Sequence, residues 1–295
     1  MIKTILVPLD GSATSEHALA IAASIAKRAQ AALRLVHVRQ PVHYQDGLAA
    51  SPKEQDYLDL QAWRIRQTTH LSVCVAVLEG PVAETIAEHA QSVNADLIVM
   101  TTHGRGPFSR FWLGSVADRL IRRVPAPLIV VRPPDEMCEP WPEPNWQPRR
   151  ILVALDGSTL AEAVLPRAVE LAKLLSASLA FVRVVEPLPV LTPEGLVPQP
   201  ILLDSSVLDE LKTQARTYLE KIADSLRKDG LAVSCRVVVD DRVAPAILEE
   251  ARESDLIALA THARHGVARM LLGSVTDKTI RGATGPVLVV PPVQH

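Results

Sequence analysis

Two stretches of the chain carry residues whose types and spacing suit the binding of an anion. One runs Thr102-His103-Gly104-Arg105-Gly106 and on to Gly114-Ser115, and the other runs Thr261-His262-Ala263-Arg264 and on to Gly273-Ser274. Each ends in Gly-Ser just before a helical pattern, Val116, Leu120 and Ile121 in the first, so its last amides open a helix N-terminus where N–H donors and the dipole favour negative charge. Gly104 and Gly106 let the main chain bend and approach a ligand closely, and Arg105 and Arg110 add charge. Phosphate is the natural guest. The second stretch has Ala263 where the first has Gly104. If that position needs a positive φ, alanine costs about 1–2 kcal/mol, which a chain of this size absorbs. Withdrawing one amide from a phosphate costs about 1.5–3 kcal/mol of binding. The first site is therefore expected to bind better than the second.

Asp10-Gly11-Ser12 and Asp156-Gly157-Ser158 are the other repeated chemical feature. Turn and helix-cap chemistry explains them locally, while their recurrence at the expected ligand edge favours a ligand role. No GxxxxGK[ST] occurs, and Gly104-Arg105-Gly106 lacks both the third glycine and the place after the first strand that a dinucleotide fingerprint requires. His103 and His262 have no nucleophile or orienting acid near them in sequence, so a hydrogen-bonding role is expected and no catalytic constellation emerges. Arg122, Arg123 and Arg281 read as solvated charges complementing a helix C-terminus. Met270-Leu271-Leu272, Phe108, Phe111 and Trp112 read as packing. Cys74, Cys138 and Cys235 stand far apart without disulfide or zinc spacing, and no metal site is expected.

These features belong to an internal repeat. ILVPLDGSATSEHAL at 5–19 matches ILVALDGSTLAEAVL at 151–165, ADLIVMTTHGRG at 95–106 matches SDLIALATHARH at 254–265, and FWLGSVADRLIRR at 111–123 matches MLLGSVTDKTIRG at 270–282. Between the copies, six prolines in PPDEMCEPWPEPNWQP at 133–148 oppose regular structure. The expected organisation is a first domain at 1–133, a linker at 134–148 and a second domain at 149–295, with Trp141 and Trp146 docking the strap onto the domains.

Within the first copy, apolar β-branched runs predict strands near 2–9, 32–38, 71–78, 96–102 and 127–132. Helical periodicity predicts helices near 13–30, 52–69, 82–93 and 115–123. Ala18, Ala22, Ile25 and Ala26 form one buried stripe, and Ser51-Pro52-Lys53-Glu54 opens the second helix. The second copy repeats the plan with a longer helix near 204–229 ended at Gly230, and carries an additional proline-rich loop at 186–200 without an assignable role. Strands such as LIVM and PVLVV are apolar without alternation, as in a sheet covered on both faces. The fold class is α/β: two tandem, doubly wound, Rossmann-like five-stranded parallel sheets.

With 295 residues, 48% of them apolar and 22% charged, the chain has the balance of a globular protein of two ordinary domains. A formal net charge of −2 gives no footprint for nucleic acid or anionic membrane. No signal peptide or membrane-length apolar run is evident, which points to the cytoplasm.

With the post-strand Asp, the repeat and the loop spacing in place, both copies resemble the universal stress protein family over essentially their whole length. Its ATP-binding members carry a G-x2-G-x9-G-[ST] loop. Here that loop falls on Thr101, Gly104, Gly114 and Ser115, and in the second copy on Ala260, Ala263, Gly273 and Ser274. The resemblance implies ATP, carried with Mg, as the ligand. Pro8, Leu9, Asp10 and Val38 would line the adenine and ribose end, and Thr101, His103, Gly104, Arg105, Gly114, Ser115 and Val116 the phosphate end. The second-copy counterparts are Ala154, Leu155, Asp156 and Val184, then Ala260, Ala263, Arg264, Gly273, Ser274 and Val275. His37 is matched by Arg183, a divergence beside this edge. By resemblance the two copies would pair through their last strands, PLIVVRP against PVLVVPP, and a homodimer of the whole chain is a further expectation. The implied role is a nucleotide-responsive stress or regulatory binding protein, with a non-binding scaffold or a slow ATPase as alternatives.

Overall fold

The computed structural model describes residues 1–39, 52–102, 113–133, 145–187, 191–192, 195–196, 205–252, 255–261 and 272–291. In the first copy the chain runs β1 (Thr4–Pro8), α1 (Ala13–Ala29), β2 (Ala32–Arg39), α2 (Pro52–Thr69), β3 (Val73–Glu79), α3 (Val82–Ser92), β4 (Leu97–Thr101), α4 (Ser115–Arg123) and β5 (Leu128–Val131). The second copy runs β6 (Arg150–Ala154), α5 (Thr159–Glu162), α6 (Leu165–Leu175), β7 (Ser178–Val185), a two-residue hairpin β8 (Leu191–Thr192) and β9 (Gly195–Leu196), α7 (Ser205–Lys228), β10 (Val233–Val239), α8 (Val243–Glu250), β11 (Asp255–Ala260), α9 (Ser274–Gly282) and β12 (Val287–Val290).

The predicted stripe of α1 is fully buried, and Ser12 caps the helix by accepting from the Ser15 amide. α7 ends at Lys228 ahead of Gly230, whose φ of +84° suits a residue without a Cβ. One expectation is corrected. The single first helix of copy one becomes two pieces, α5 and α6, in copy two. Pro166 lacks an N–H and its ring opposes continuation, so a new helix starts with proline in its first turn. The loop at 186–200 also holds a short antiparallel hairpin, Leu191 opposite Leu196.

The main sheet has ten strands in the order β10-β7-β6-β11-β12-β5-β4-β1-β2-β3. Every neighbour within a copy is parallel, and the two halves join through an antiparallel ladder between β12 and β5, with Leu288 opposite Ile129. The last strands of the copies therefore pair inside the chain. Parallel order requires helical crossovers that cover both faces, which is why these strands are apolar without alternation. Ile5 and Val7 pack with α1, while Leu6 between them packs with α3 and α4 on the other face. Both core clusters run unbroken from one copy into the other.

Polar ties brace the ends. The Asp96 carboxylate accepts the amides of Lys3 and Thr4 at 2.7 and 3.0 Å, locking the start of β1 to β4. Its counterpart Asp255, 2% exposed, is held by the Arg150 guanidinium and by the Arg252 amide at 2.9 Å. Trp146 packs against the core shared by the copies, and its amide donates to Ser24 Oγ at 2.9 Å. The docking role expected of Trp146 is thereby seen, whereas Trp141 lies outside the described residues. The arginines read as solvated charges each have an acidic partner. Arg122 donates to both oxygens of Asp118, Arg281 to both of Asp277, and Arg123 reaches Glu84 on α3 at 3.1 Å. Arg122 and Arg281 are half-buried, whereas Arg123 is exposed.

Candidate functional site

In a doubly wound sheet the crevice opens outside the carboxyl ends of the strands, where strand order reverses. In copy one the reversal lies at β1, flanked by β2 and β4. The structure brings Pro8 and Asp10, Val38 and Thr101 to this end from those three strands. Gly114 joins them because its amide donates to the Thr102 carbonyl at 2.8 Å, and the Thr102 amide donates in turn to Val131 at 2.9 Å. Ser115 and Val116 follow in the first turn of α4. Leu9 departs from the expectation: its side chain is 3% exposed in the core on the α1 face, its amide donates to Val36, and its carbonyl accepts from His37 Nδ1 at 2.9 Å. Its apolar side chain prefers the core, so at the mouth it presents main chain only. His103, Gly104, Arg105, Ala263 and Arg264 lie outside the described residues, as do Arg110, Phe108, Phe111, Trp112, His262, Met270 and Leu271.

The Asp10 turn is stiff. Its Oδ1 accepts the Ser12 amide at 2.9 Å and the Ser12 hydroxyl at 2.5 Å, and Ser12 goes on to cap α1. Asp156 repeats this by accepting the Ser158 amide at 2.8 Å, with Ser158 capping α5 through the Ala161 amide at 3.1 Å. Gly11 and Gly157, at φ +81° and +92°, occupy the left-handed turn position that an L side chain enters only with strain. The turn reading of both aspartates is thus correct, and it leaves their carboxylates at the crevice edge.

Copy two contains a cavity of about 110 Å³ at its crevice. Its floor is apolar: Val182 and Val184 from β7, Val243 and Ile247 from α8, and Leu259 from β11. Ala154, Leu155 and Asp156 form one rim, Leu160 and Ala161 of α5 a second, and Ala260, Val275 and Thr276 the third. Thr276 Oγ1 donates to the Ala260 carbonyl at 3.2 Å, fixing α9 to the end of β11. Gly273 at its N-cap gives α9 no side-chain cap, and Gly114 leaves α4 in the same state, unlike the serine-capped α1 and α5. The amides of these first turns are the donors suited to an anion.

Of the residues expected at the second site, Ala154, Leu155, Asp156, Val184, Ala260 and Val275 line this cavity, but of its floor only Val184 is expected. Val243 and Ile247 stand four apart on a helix, and Val182 and Leu259 lie in apolar strands, so these four read as core. Only the way β6, β7, β11, α8 and α9 come together at the crevice turns core residues into a wall. On the α7 side of β7, the Arg183 guanidinium lies 5.2 Å from the Tyr218 ring centroid, and the Tyr218 hydroxyl donates to Glu162 at 2.9 Å. Burial, then Glu162, holds the Tyr218 phenol well above the usual tyrosine range.

Comparison with known proteins agrees with this architecture. The profile of the universal stress protein family matches residues 1–132 and again 148–291. A universal stress protein of Mycolicibacterium smegmatis (strain ATCC 700084 / mc(2)155) is 28% identical over 307 residues, covering 98% of this chain and 97% of that one. Universal stress protein Rv1996 of Mycobacterium tuberculosis (strain ATCC 25618 / H37Rv) is 28% identical over 313 residues, covering 97% and 94%. Among solved structures, the functionally unknown protein PA1789 of Pseudomonas aeruginosa PAO1 superimposes with a TM-score of 0.70 at 18% identity, covering 99% of this chain and 93% of that one, a likeness that speaks for fold alone. Matched twice along its length and built as two tandem α/β units, the chain belongs to the universal stress protein family.

Proposed function

We propose that the protein is a nucleotide-responsive binding protein of the cytoplasmic stress response that takes adenine nucleotide, with Mg, at the carboxyl end of each half of its sheet. The observation that carries this reading is the cavity of copy two, where an apolar floor, a carboxylate on the rim and an uncapped helix N-terminus meet. The floor suits a base, the carboxylate suits hydroxyl donors, and the first-turn amides suit phosphate. Copy one repeats the parts in Val38, Asp10 and Gly114-Ser115. Its loop keeps Gly104 where copy two has Ala263, so copy one holds the polyphosphate more tightly. Occupancy orders the mouth and changes the surface offered to partners. Binding rather than hydrolysis is the activity in this reading, with no base or water-positioning residue identified among the described residues.

Titration calorimetry of the whole chain with Mg-ATP tests this. The expected result is one strong site per chain that is lost in Gly114→Asp, with a weaker second site lost in Gly273→Asp. Saturating nucleotide without heat or thermal shift would refute it. Thr101 and Ala263, which stand where the family loop has glycine, favour a second reading as a scaffold with residual pockets. Nucleotide binding gained only in a Thr101→Gly, Ala263→Gly double variant would support the scaffold.

A further inference from the structure

Two large apolar side chains lie in water side by side on the outer face of α2. Among the described residues the exposed large apolar side chains are Met1, Leu60, Trp63, Val207 and Val239, and of these Leu60 and Trp63 alone share a helix face. Trp63 is 57% exposed and Leu60 45%. Leu58, Ala62 and Ile65 on the inner face are fully buried in the core, so the helix cannot turn the pair inward. Tryptophan is enriched where proteins meet, because it brings a large contact area at little cost in rotamer freedom.

The repeat supplies an internal comparison. Tyr57 on α2 and Tyr218 on α7 make the same bond to a glutamate, and Arg66 donates to the Val73 carbonyl as Arg227 does to that of Val233. Both pairs give one register between the helices, which sets Leu60 against Lys221 and Trp63 against Asp224. The same face is charged in copy two and apolar in copy one, so the fold does not require the apolar pair.

The flanking residues decide what covers it. Asp56 and Asp59 precede Leu60 on this face, Arg64 and Gln67 follow Trp63, and all four are exposed. The order of acid, apolar pair and base is complementary to itself when reversed. A second α2 laid antiparallel over the first, centred level with Gln61 and Ala62, sets Leu60 of each helix on Trp63 of the other, Asp59 opposite Arg64 and Asp56 opposite Gln67. Each contact then occurs twice, as a two-fold interface demands. We propose that two whole chains associate through α2 of their first copies, with the Leu60 and Trp63 cluster at the centre and the Asp59 to Arg64 pairs fixing the register. The sheet edge beside α2 is a poorer route. The Ser72 carbonyl accepts from Leu33, so that of Val73 points to the open side of β3, where Arg66 covers it. One helix pair is a small contact, and the dimer therefore forms at about micromolar concentration and follows the amount of protein present.

Sedimentation equilibrium of the full chain from about 1 to 100 μM, without nucleotide, tests this. The unmodified chain is expected to pass from monomer to dimer within the series. Leu60→Lys with Trp63→Asp installs the residues of copy two and is expected to stay monomeric while keeping its urea midpoint. Asp59→Arg alone, or Arg64→Asp alone, sets like charges opposite each other and is expected to weaken the dimer about tenfold or more. The two together regenerate both pairs and are expected to restore association to within about threefold. A chain that stays monomeric throughout would overturn the proposal. So would a dimer that persists in the folded Leu60→Lys, Trp63→Asp variant, or a double swap that associates as weakly as the single changes.

Discussion

The Tyr57 hydroxyl donates to the Glu16 carboxylate at 3.1 Å, and the repeat restates the pair as Tyr218 to Glu162 at 2.9 Å. Both pairs tie the helix after the first strand of a copy to the helix after the second, on the same side of the sheet as the aspartate turns. In copy one Gln61 Nε2 adds a second donor to Glu16 at 2.9 Å, and Glu16 is 7% exposed. Burial pushes its carboxyl above the ordinary carboxylate range, while the Tyr57 hydrogen bond and the Arg64 charge pull it part of the way back.

A pH dependence follows from that shift. The native state holds the Glu16 proton more tightly than the unfolded chain, so this contribution to stability is fully present below the ordinary carboxylate pKa. It is lost as pH rises through the raised native value. Glu16→Gln keeps an acceptor for Tyr57 and Gln61 without a charge, so its stability relative to the unmodified chain should improve from pH 4 to pH 7. Tyr57→Phe removes a donor from the buried charge and should cost about 1–3 kcal/mol at pH 7. Urea melts of the three proteins at both pH values check this, and a Glu16→Gln difference that is flat with pH would contradict it.

The cysteines should react unequally. Burial, then the Glu220 charge, pushes the Cys235 thiol up to about 11, whereas Cys74 is exposed on the opposite edge strand. At pH 8 a thiol of that pKa is roughly 0.1% thiolate, and thiolate is the reacting species. In a Cys138→Ser background, a thiol-specific chromophore should label one cysteine per chain quickly and the other at least tenfold more slowly. Cys74→Ser should remove the fast phase.

The seam makes the copies one cooperative body. Leu288 and Ile129 face each other across the antiparallel ladder and are both 0% exposed. Leu288→Ala should cost about 2–5 kcal/mol, as a large-to-small change in a packed core does. Because both core clusters cross the seam, the loss should appear in a single transition seen alike by circular dichroism and tryptophan fluorescence. Two separate transitions with only one displaced would show the copies to be independent.

Much of this was legible in the residues. The helix read near 52–69 is observed at Pro52–Thr69 and that near 115–123 at Ser115–Arg123, because Pro52 suits a first helical turn and Ala117, Leu120 and Ile121 recur at helical spacing. The pairing of β5 with β12 also agrees with the expectation from the family resemblance. The break in the first helix of copy two has its sequence signal in Pro166, which periodicity alone passes over. The floor of the cavity was illegible for a deeper reason. Val243 and Ile247 are chemically core residues, and only the tertiary arrangement of the crevice makes them part of a cavity wall. Arg183 was noticed as a divergence from His37, but its place over Gly157 depends on a side-chain path that periodicity does not encode.

The aspartate turns permit the sharpest separation of structural from ligand roles. Asp156 Oδ1 accepts the Ser158 amide, and an asparagine in the same rotamer offers an equivalent oxygen, so Asp156→Asn should preserve turn, cap and melting temperature. What it removes is the negative charge at the rim of the cavity. If that carboxylate receives ribose hydroxyls, their charge-assisted bonds contribute about 1.5–3 kcal/mol, and nucleotide affinity at the second mouth should fall tenfold or more. Asp10→Asn should do the same at the first mouth, where the Ser12 amide and hydroxyl hold the same kind of turn. Ala154→Leu, which fills the cavity from its rim, should abolish second-mouth binding while leaving the first untouched. Calorimetry with each variant reads these separately. Unchanged affinity in both asparagine variants, with Ala154→Leu still blocking, would assign the aspartates to the turn alone and leave the apolar floor as the element that recognises the ligand.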